Sequence, residues 1–256
     1  MSIESEIDRY TKSLERQEEY TLNLDVLDKG YVRYIEHLGG GEHGADEAGI
    51  IEAARQSTQG AFRSWDTDEK LLTFMANHNH TTPFEFCHLV IEVQAPIFVF
   101  REWHRHRTQS YNEMSARYAP LPDVNFTPSL DRLFWTQDDN KQSQAVDGTE
   151  LTKDRAINWQ QQVRDFYDKA EQLYQYGLGI GIPKELARIV LPVGRYSRMR
   201  ASANLHNWLK FCQLRMDYNA QYEIRQYAKA VGSIIAQVFP RSWMLFTKNH
   251  PELDYD

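Results

Sequence analysis

The sequence predicts an α+β fold in one domain spanning residues 1–256. Three observations carry that expectation. Two stretches, 30–38 and 84–93, have strand character. Three others, 151–176, 204–215 and 220–238, place apolar residues at helical intervals. Neither an internal repeat nor a clear linker divides the chain, and its length suits one large domain or two small ones. Strands and helices interspersed around one core define the α+β class.

Taken in order, residues 1–20 are polar and charged and read as a loosely held leader. Gly30 to Leu38 is β-rich and reads as a strand, closed by the glycines at 39–41. Ala45 to Arg55 reads as a helix with Ile50, Ile51 and Ala54 on one side. A second helix follows Asp66, which is expected to cap it with Glu69 three residues on as a capping box. Leu71, Leu72 and Met75 form its apolar side. Phe84 to Val93 alternates, with Cys87, Leu89, Ile91 and Val93 on one face, and reads as a strand. Pro96 is placed to start a helix, where its missing N–H costs nothing. On that helix Arg101 and Arg105 fall one turn apart, beside His104.

Residues 136–149 are polar and read as an exposed loop. Leu151 to Tyr176 is a long helical pattern through Ile157, Val163, Phe166, Ala170 and Leu173. The sequence Gly177-Leu178-Gly179 is expected to stop it. Pro183 starts a short helix holding Arg188. Ser197 to Ser202 is ambiguous. Asn204 to Arg215 and Ala220 to Val238 read as two further helices.

Composition narrows the function classes. Hydrophobic residues at 41% are enough for a core, and the net charge of −7 argues against general nucleic-acid binding. Cys87 and Cys212 sit among apolar neighbours with no Cys-x-x-Cys pair, so they read as reduced core residues. No signal peptide is visible, and no apolar stretch is long enough to cross a bilayer. A cytosolic protein is expected.

Against that acidic background, Arg105 to Tyr118 gathers three arginines, a histidine, a glutamate, two serines and an asparagine in fourteen positions. Arginine offers a planar, permanently charged fork that matches phosphate oxygens in pairs. Ser115 and backbone N–H groups add neutral donors, and Glu113 can accept from a ribose hydroxyl or a ring N–H. A solvated basic face would also contain an Arg-x-Arg. The continuation through Ser115 and Arg117 favours an anionic ligand such as a nucleotide.

The histidines His78, His80, His88, His104 and His106 cluster in sequence as well. Two His-x-His pairs raise the idea of a metal hydrolase, yet no acidic or cysteine ligand accompanies them at a recognisable spacing. Polar contacts to a cofactor, or merely polar surroundings, explain them better, and no metal is expected. On the 204–215 segment, Asn204, Trp208, Phe211 and Arg215 share one face, and His206 and Lys210 share another. Arg215 and Arg188 each place a charge inside an apolar run, so each needs a partner. A bound anion or a polarised carbonyl would supply one.

The spacing Arg105-His106-Arg107, seven residues, then Ser115 resembles the signature of the flavin-dependent thymidylate synthases. Asn112-Glu113-Met114-Ser115-Ala116-Arg117-Tyr118 completes it. Ala53 to Ser57, His80 to Glu85, Ala95 to Val99, Ala187 to Pro192 and Leu214 to Asp217 resemble other segments of the family. The leader and the 136–149 loop fall outside the resemblance.

The resemblance implies a central, mainly antiparallel sheet flanked by long helices. It implies reductive methylation of dUMP to dTMP, with 5,10-methylenetetrahydrofolate giving the carbon, NADPH the hydride and FAD carrying it. It also implies a homotetramer with active sites shared between subunits; the acidic total and the lack of a spanning stretch leave no nucleic-acid or membrane partner expected. Carried over by position, the dUMP contacts are Glu102, Trp103, His104, Arg105, Glu113, Met114, Ser115, Ala116, Arg117, Arg188 and Arg215. The FAD contacts are Ser57, His80, Thr82, Glu85, Arg105, His106, Arg107, Asn112, Glu113, Asn204, His206 and Lys210. Arg215 resembles the arginine that polarises the pyrimidine. Ser115 reads as a phosphate ligand rather than a nucleophile, since a serine needs a nearby base to attack. Glu102 stands where the family commonly has glutamine; a carboxylate there would repel a phosphate, so it is expected to turn to a neighbouring arginine. His206 and Lys210 stand where the family often shows arginine and asparagine, and Asn219 where histidine is frequent. The competing reading is a non-enzymatic nucleotide- or RNA-binding module using Arg101, Arg105, Arg107 and Tyr111, which predicts steeply salt-dependent RNA binding.

Overall fold

Alternating burial builds the sheet. The computed structural model describes residues 22–41, 47–58, 60–136, 140–144 and 150–255. Its strands are β1 (Asn23–Val26), β2 (Gly30–Leu38), β3 (His88–Pro96), β4 (Ser110–Glu113) and β5 (Tyr196–Asn204). They form one sheet in the order β1-β2-β3-β5-β4, with every pairing antiparallel. Leu89, Ile91 and Val93 of β3 are fully buried, as are Met199 and Ala201 of β5. The intervening residues Val90, Glu92, Arg198 and Arg200 lie on the opposite, more exposed face. A register shift between Tyr34 and Glu36 flips the pattern of β2, and Leu38 at its end is exposed.

One strand expectation is corrected, and one ambiguous stretch is settled. The 84–93 segment is split: Thr82–Phe86 is a 3₁₀ turn, and the strand runs from His88 to Pro96. The ambiguous stretch around Ser197–Ser202 is β5, the partner of both β3 and β4. Its alternation of arginines with small and apolar residues is that of a strand with one wet face. At Gly30 the Tyr227 hydroxyl occupies the space a side chain would need, and it donates to Gln94 O across 2.8 Å.

The helices are α1 (Ala48–Arg55), α2 (Trp65–Asn77), α3 (Ile97–Trp103), α4 (Leu130–Phe134), α5 (Lys153–Gly179), α6 (Lys184–Ala187), α7 (Leu205–Arg215), α8 (Tyr222–Val238) and α9 (Pro240–Asn249). The first residues expected for α1, from Ala45, and the leader lie outside the described residues. The N-cap position of α2 falls at Ser64, two residues before the expected cap at Asp66. Asp66 is exposed in the first turn, and Asp68 is the buried carboxylate, accepting from the Arg63 N–H and from Arg55. Burial of α2 does follow the expected side, through Leu72 and Met75.

Pro96 ends β3 and stands before α3, which stops at Trp103. Arg105 is therefore beyond the helix, and the expected one-turn pairing with Arg101 is not formed. α5 ends at Gly179, within the expected Gly177-Leu178-Gly179 stop, with Ile180 as its C-cap; Gly181, with φ +88°, makes the left-handed turn that follows. Arg188 begins a 3₁₀ turn after α6 instead of lying within it. The last helix, α9, adds to the elements expected from the sequence.

The core sits between one sheet face and α7, α8 and α9. Trp103, Trp208, Phe211 and Tyr227 are fully buried there, with Trp103 stacked on Phe211 at 4.5 Å between centroids. Cys87 and Cys212 are buried free thiols, and burial pushes both pKa values up. α5 differs. Ala156, Ala170 and Tyr174 are buried, while Trp159, Phe166, Leu173 and Ile180 are each about half exposed (48, 56, 55 and 58%).

Candidate active site

The signature begins where α3 ends. His104 caps the helix, and the chain turns through Arg105 and Arg107 into β4. β4 pairs with β5, bringing Asn112 opposite Arg200 and Glu113 opposite Met199. Arg105 and Arg107 are exposed, and their side chains make no hydrogen bond or ion pair among the described residues. Such uncompensated guanidinium groups suit an anionic ligand.

The predicted site residues separate into three groups. In the first, Arg215 at the end of α7 donates from Nε to His106 Nε2 at 2.8 Å. Its Nη1 pairs with Glu102 Oε2 at 3.0 Å, and its Nη2 donates to Glu102 O at 2.8 Å. Glu102 has turned to an arginine, as expected. The partner that Arg215 needed is thus supplied within the chain. Burial, and then the Arg215 charge, holds the His106 pKa down at about 4 from its usual 6.5. His106 is therefore neutral near pH 7 and accepts from Arg215. Glu102 and Arg215 line a cavity of about 480 Å³ together with Arg132, Trp135, Asn140, Gln142, Asn219 and Tyr222.

The second group gathers beside α6. Arg117 pairs with Glu185 at 3.2 Å, and Arg188 donates to Glu185 O at 3.3 Å. Ser115 Oγ accepts from the Arg117 N–H at 3.3 Å. Arg188 is exposed here, so its charge is solvated and not enclosed by the apolar run. None of Arg105, Arg107, Ser115, Arg117 and Arg188 lines the Arg215 cavity.

The third group lies between α2, α7 and α9. His80, His206 and Lys210 line one cavity of about 230 Å³ with Asn79, Thr81, Leu209, Gln213, Phe246 and His250. Thr82 borders the neighbouring cavity with His80. Glu85 accepts from Asn204 Nδ2 at 3.3 Å, and Asn204 Oδ1 caps α7 through the Asn207 N–H. Desolvation lowers the pKa of His206; Glu85 opposes that shift and Lys210 adds to it. Ser57 is exposed beyond α1, bonded to Ala54 O.

Other predicted site residues lie apart from these three groups. Trp103 is fully buried and donates to Gln109 Oε1 at 2.9 Å, so its ring belongs to the core. Ala116 is also buried. His104 packs against Tyr111, with Nε2 at 3.3 Å from Met199 Sδ. Asn112 and Met114 belong to a different hollow, on the wet face of the sheet with Arg198 and Arg200.

Sequence reasoning missed Arg132, Trp135, Asn140, Gln142 and Tyr222. A weak signal was present for two of them: Asn140 and Gln142 flank a lysine in a polar run whose composition by itself marks only a loop. Asn140 is in fact buried, and its Oδ1 accepts from the Gln142 N–H at 3.2 Å.

The donor set fits a flavin dinucleotide. The third group combines a cation, imidazoles and amides with Leu209, Phe84 and Phe246, a mixture suited to a ring with a polar tail. The unpaired Arg105 and Arg107 add charge for phosphates. Among the described residues no three His, Cys, Asp or Glu side chains gather where a metal ion could sit. No described helix is long and apolar enough to cross a membrane.

An antiparallel sheet backed by helices, with fixed and free arginines at its margin, defines an α+β protein whose margin suits an anionic ligand. Residues 42–241 match the family model described as "Thymidylate synthase complementing protein". A flavin-dependent thymidylate synthase from Ehrlichia ruminantium (strain Gardel) is 34% identical over 247 residues, covering 96% of this chain and 80% of that protein. A flavin-dependent thymidylate synthase from Thermus thermophilus is 35% identical over 228 residues, covering 89% and 79%. The crystal structure of the UMP/dUMP methylase PolB from Streptomyces cacaoi, bound with 5-Br dUMP, superimposes with a TM-score of 0.75 at 26% identity, covering 88% of this chain and 97% of that one. The chain belongs to the flavin-dependent thymidylate synthase family and is an enzyme of that class.

Proposed function

We propose that the protein converts dUMP to dTMP in the cytoplasm, as a single catalytic domain, with 5,10-methylenetetrahydrofolate as carbon donor and NADPH as reductant. The observation that carries this reading is Arg215, a cation fixed by His106 and Glu102 at the edge of a cavity. A fixed cation at a pyrimidine carbonyl stabilises the enolate-like charge that develops as C5 becomes nucleophilic. Because the guanidinium is already held, little reorganisation is needed when that charge appears.

Arg105, Ser115 and Arg188 bind the dUMP phosphate, Arg117 meets the uracil with Arg215, and Glu113 contributes beside them. His80, Thr82, Glu85, Asn204, His206 and Lys210 hold FAD, with Ser57, Arg105, His106, Arg107 and Asn112 at its margins. Bound FAD supplies the hydride-carrying chemistry of the reaction.

The separation of the Arg188 group from the Arg215 group supports a homotetramer in which different subunits complete each site. The half-exposed stripe on α5 supports it as well, since extended apolar patches mark contact surfaces. The test is NADPH-dependent dTMP formation by purified protein, with and without added FAD. Activity that rises with FAD is the expected result. Colourless protein that fails to take up FAD and forms no dTMP would overturn the proposal.

A further inference from the structure

The cavity at Glu102 and Arg215 has an outer wall built from a part of the chain outside the family signature. Two pieces of that wall are pinned to the α7–α8 turn. Arg132 donates to both carboxylate oxygens of Glu223, at 2.7 and 3.4 Å, and Glu223 is buried at the start of α8. Further on, Asn140 Nδ2 donates to Asn219 O at 3.3 Å. Asn140 also caps the 3₁₀ turn Lys141–Ser143, which fixes the backbone of Gln142.

The charges of this cavity cancel in pairs. Arg132 is matched by Glu223, and Arg215 by Glu102. What remains toward the space is neutral: the Trp135 and Tyr222 rings, set 5.6 Å apart and tilted by 52°, and the amides of Gln142 and Asn219. The Arg132 guanidinium lies 5.2 Å from the centre of each ring and stiffens both. Aromatic walls with amide donors and acceptors suit an uncharged, hydrogen-bonding ring. They do not suit a phosphate, for which the exposed arginines are better placed.

We propose that Gln142 and Trp135 are further binding residues for the pyrimidine ring of the nucleotide, the ring end entering the cavity toward Arg215. The inference rests on the functional reading above and assigns residues to it. Gln142 is exposed to the cavity, so its amide is free to meet a base edge without disturbing the core. Trp135 supplies a face against which the ring lies.

The experiment uses the full-length, FAD-loaded protein with dUMP as the probe. Gln142→Ala is expected to weaken dUMP binding by about 3- to 10-fold, the net worth of one hydrogen bond. KM for dUMP should rise by that factor while kcat stays within about twofold, the pattern of lost uniform binding. dUMP is expected to quench tryptophan fluorescence, and Trp135→Phe to remove most of that quenching. Unchanged dUMP affinity in Gln142→Ala, with full quenching in Trp135→Phe, would overturn the assignment. Wild-type protein that binds no dUMP would instead overturn the functional reading and this inference with it.

Discussion

Arg215 Nε and His106 Nε2 lie 2.8 Å apart, joining residues 109 positions apart in the chain. The bond requires a neutral imidazole, and the site keeps it neutral by burial and by the guanidinium charge. This ties the geometry of Arg215 to pH. Above pH 6.5 the ring is neutral both folded and unfolded, so it adds no pH dependence. Between 6.5 and about 4 the unfolded chain takes up a proton that the folded chain refuses. Stability therefore falls as pH drops through that window. Urea midpoints measured from pH 7.5 to 4 should decline more steeply for the wild type than for His106→Asn. Parallel declines would show that His106 does not contribute.

Arg215→Ala should separate chemistry from cofactor binding. Its guanidinium is aimed at the cavity, whereas the cavity with His80, His206 and Lys210 is lined by other residues. Turnover should fall by about 100-fold or more, the scale of losing a preorganised charge-stabilising donor, with flavin content unchanged by absorbance. Equal loss of flavin and turnover would make Arg215 a structural residue.

Glu102 sets how much of that charge a ligand meets. The ion pair is partly exposed, with side-chain exposures of 16% for Arg215 and 44% for Glu102. Pairs of that kind contribute about 0.2–1 kcal/mol. Glu102→Gln should thus leave the unfolding midpoint nearly unchanged, because the backbone bond from Arg215 Nη2 remains. It should tighten dUMP binding by about 2- to 5-fold at low salt, an advantage that shrinks as salt screens it. Titration at two ionic strengths checks this; weaker binding would mean that the carboxylate itself holds the nucleotide.

Trp103 belongs to the core despite its place beside the signature. Its ring is stacked on Phe211 and bonded to Gln109. Trp103→Ala should cost about 3–5 kcal/mol, as for other large-to-small core changes, read as a lower urea midpoint. Full stability with a raised KM for dUMP would make its ring a substrate contact and not a core group.

The sequence made β2, α7 and most of α8 legible because burial on one face leaves a period that can be counted. β5 was harder. Its arginines alternate with Ser and Ala, and small residues carry little hydrophobic contrast. The end of α5 at Gly179 was legible in Gly177-Leu178-Gly179, while the left-handed turn falls two residues on, at Gly181. In the site, residue types at signature spacing pointed to Arg105–Arg117, and the apolar run around Arg215 pointed to a needed partner. That the partner is Glu102 with His106 depends on how α3 and α7 pack. Long-range packing also decides that Arg132 and Gln142 reach the same cavity, and no local pattern encodes it.

The α5 stripe leads to a test of assembly. Trp159, Phe166, Leu173 and Ile180 recur every seven residues, and each is about half exposed. A seven-residue repeat keeps one seam facing a partner helix, and a second copy of this chain is the partner implied by the proposed tetramer. Phe166→Asp places a carboxylate in that seam, where burying an unpaired charge is strongly unfavourable. The expected outcome is a lower molecular mass by light scattering, with the fold retained by circular dichroism. dTMP formation should fall with it, because the Arg188 and Arg215 groups would no longer meet across subunits. If the variant keeps both the mass and the activity of the wild type, the stripe is not the assembly surface.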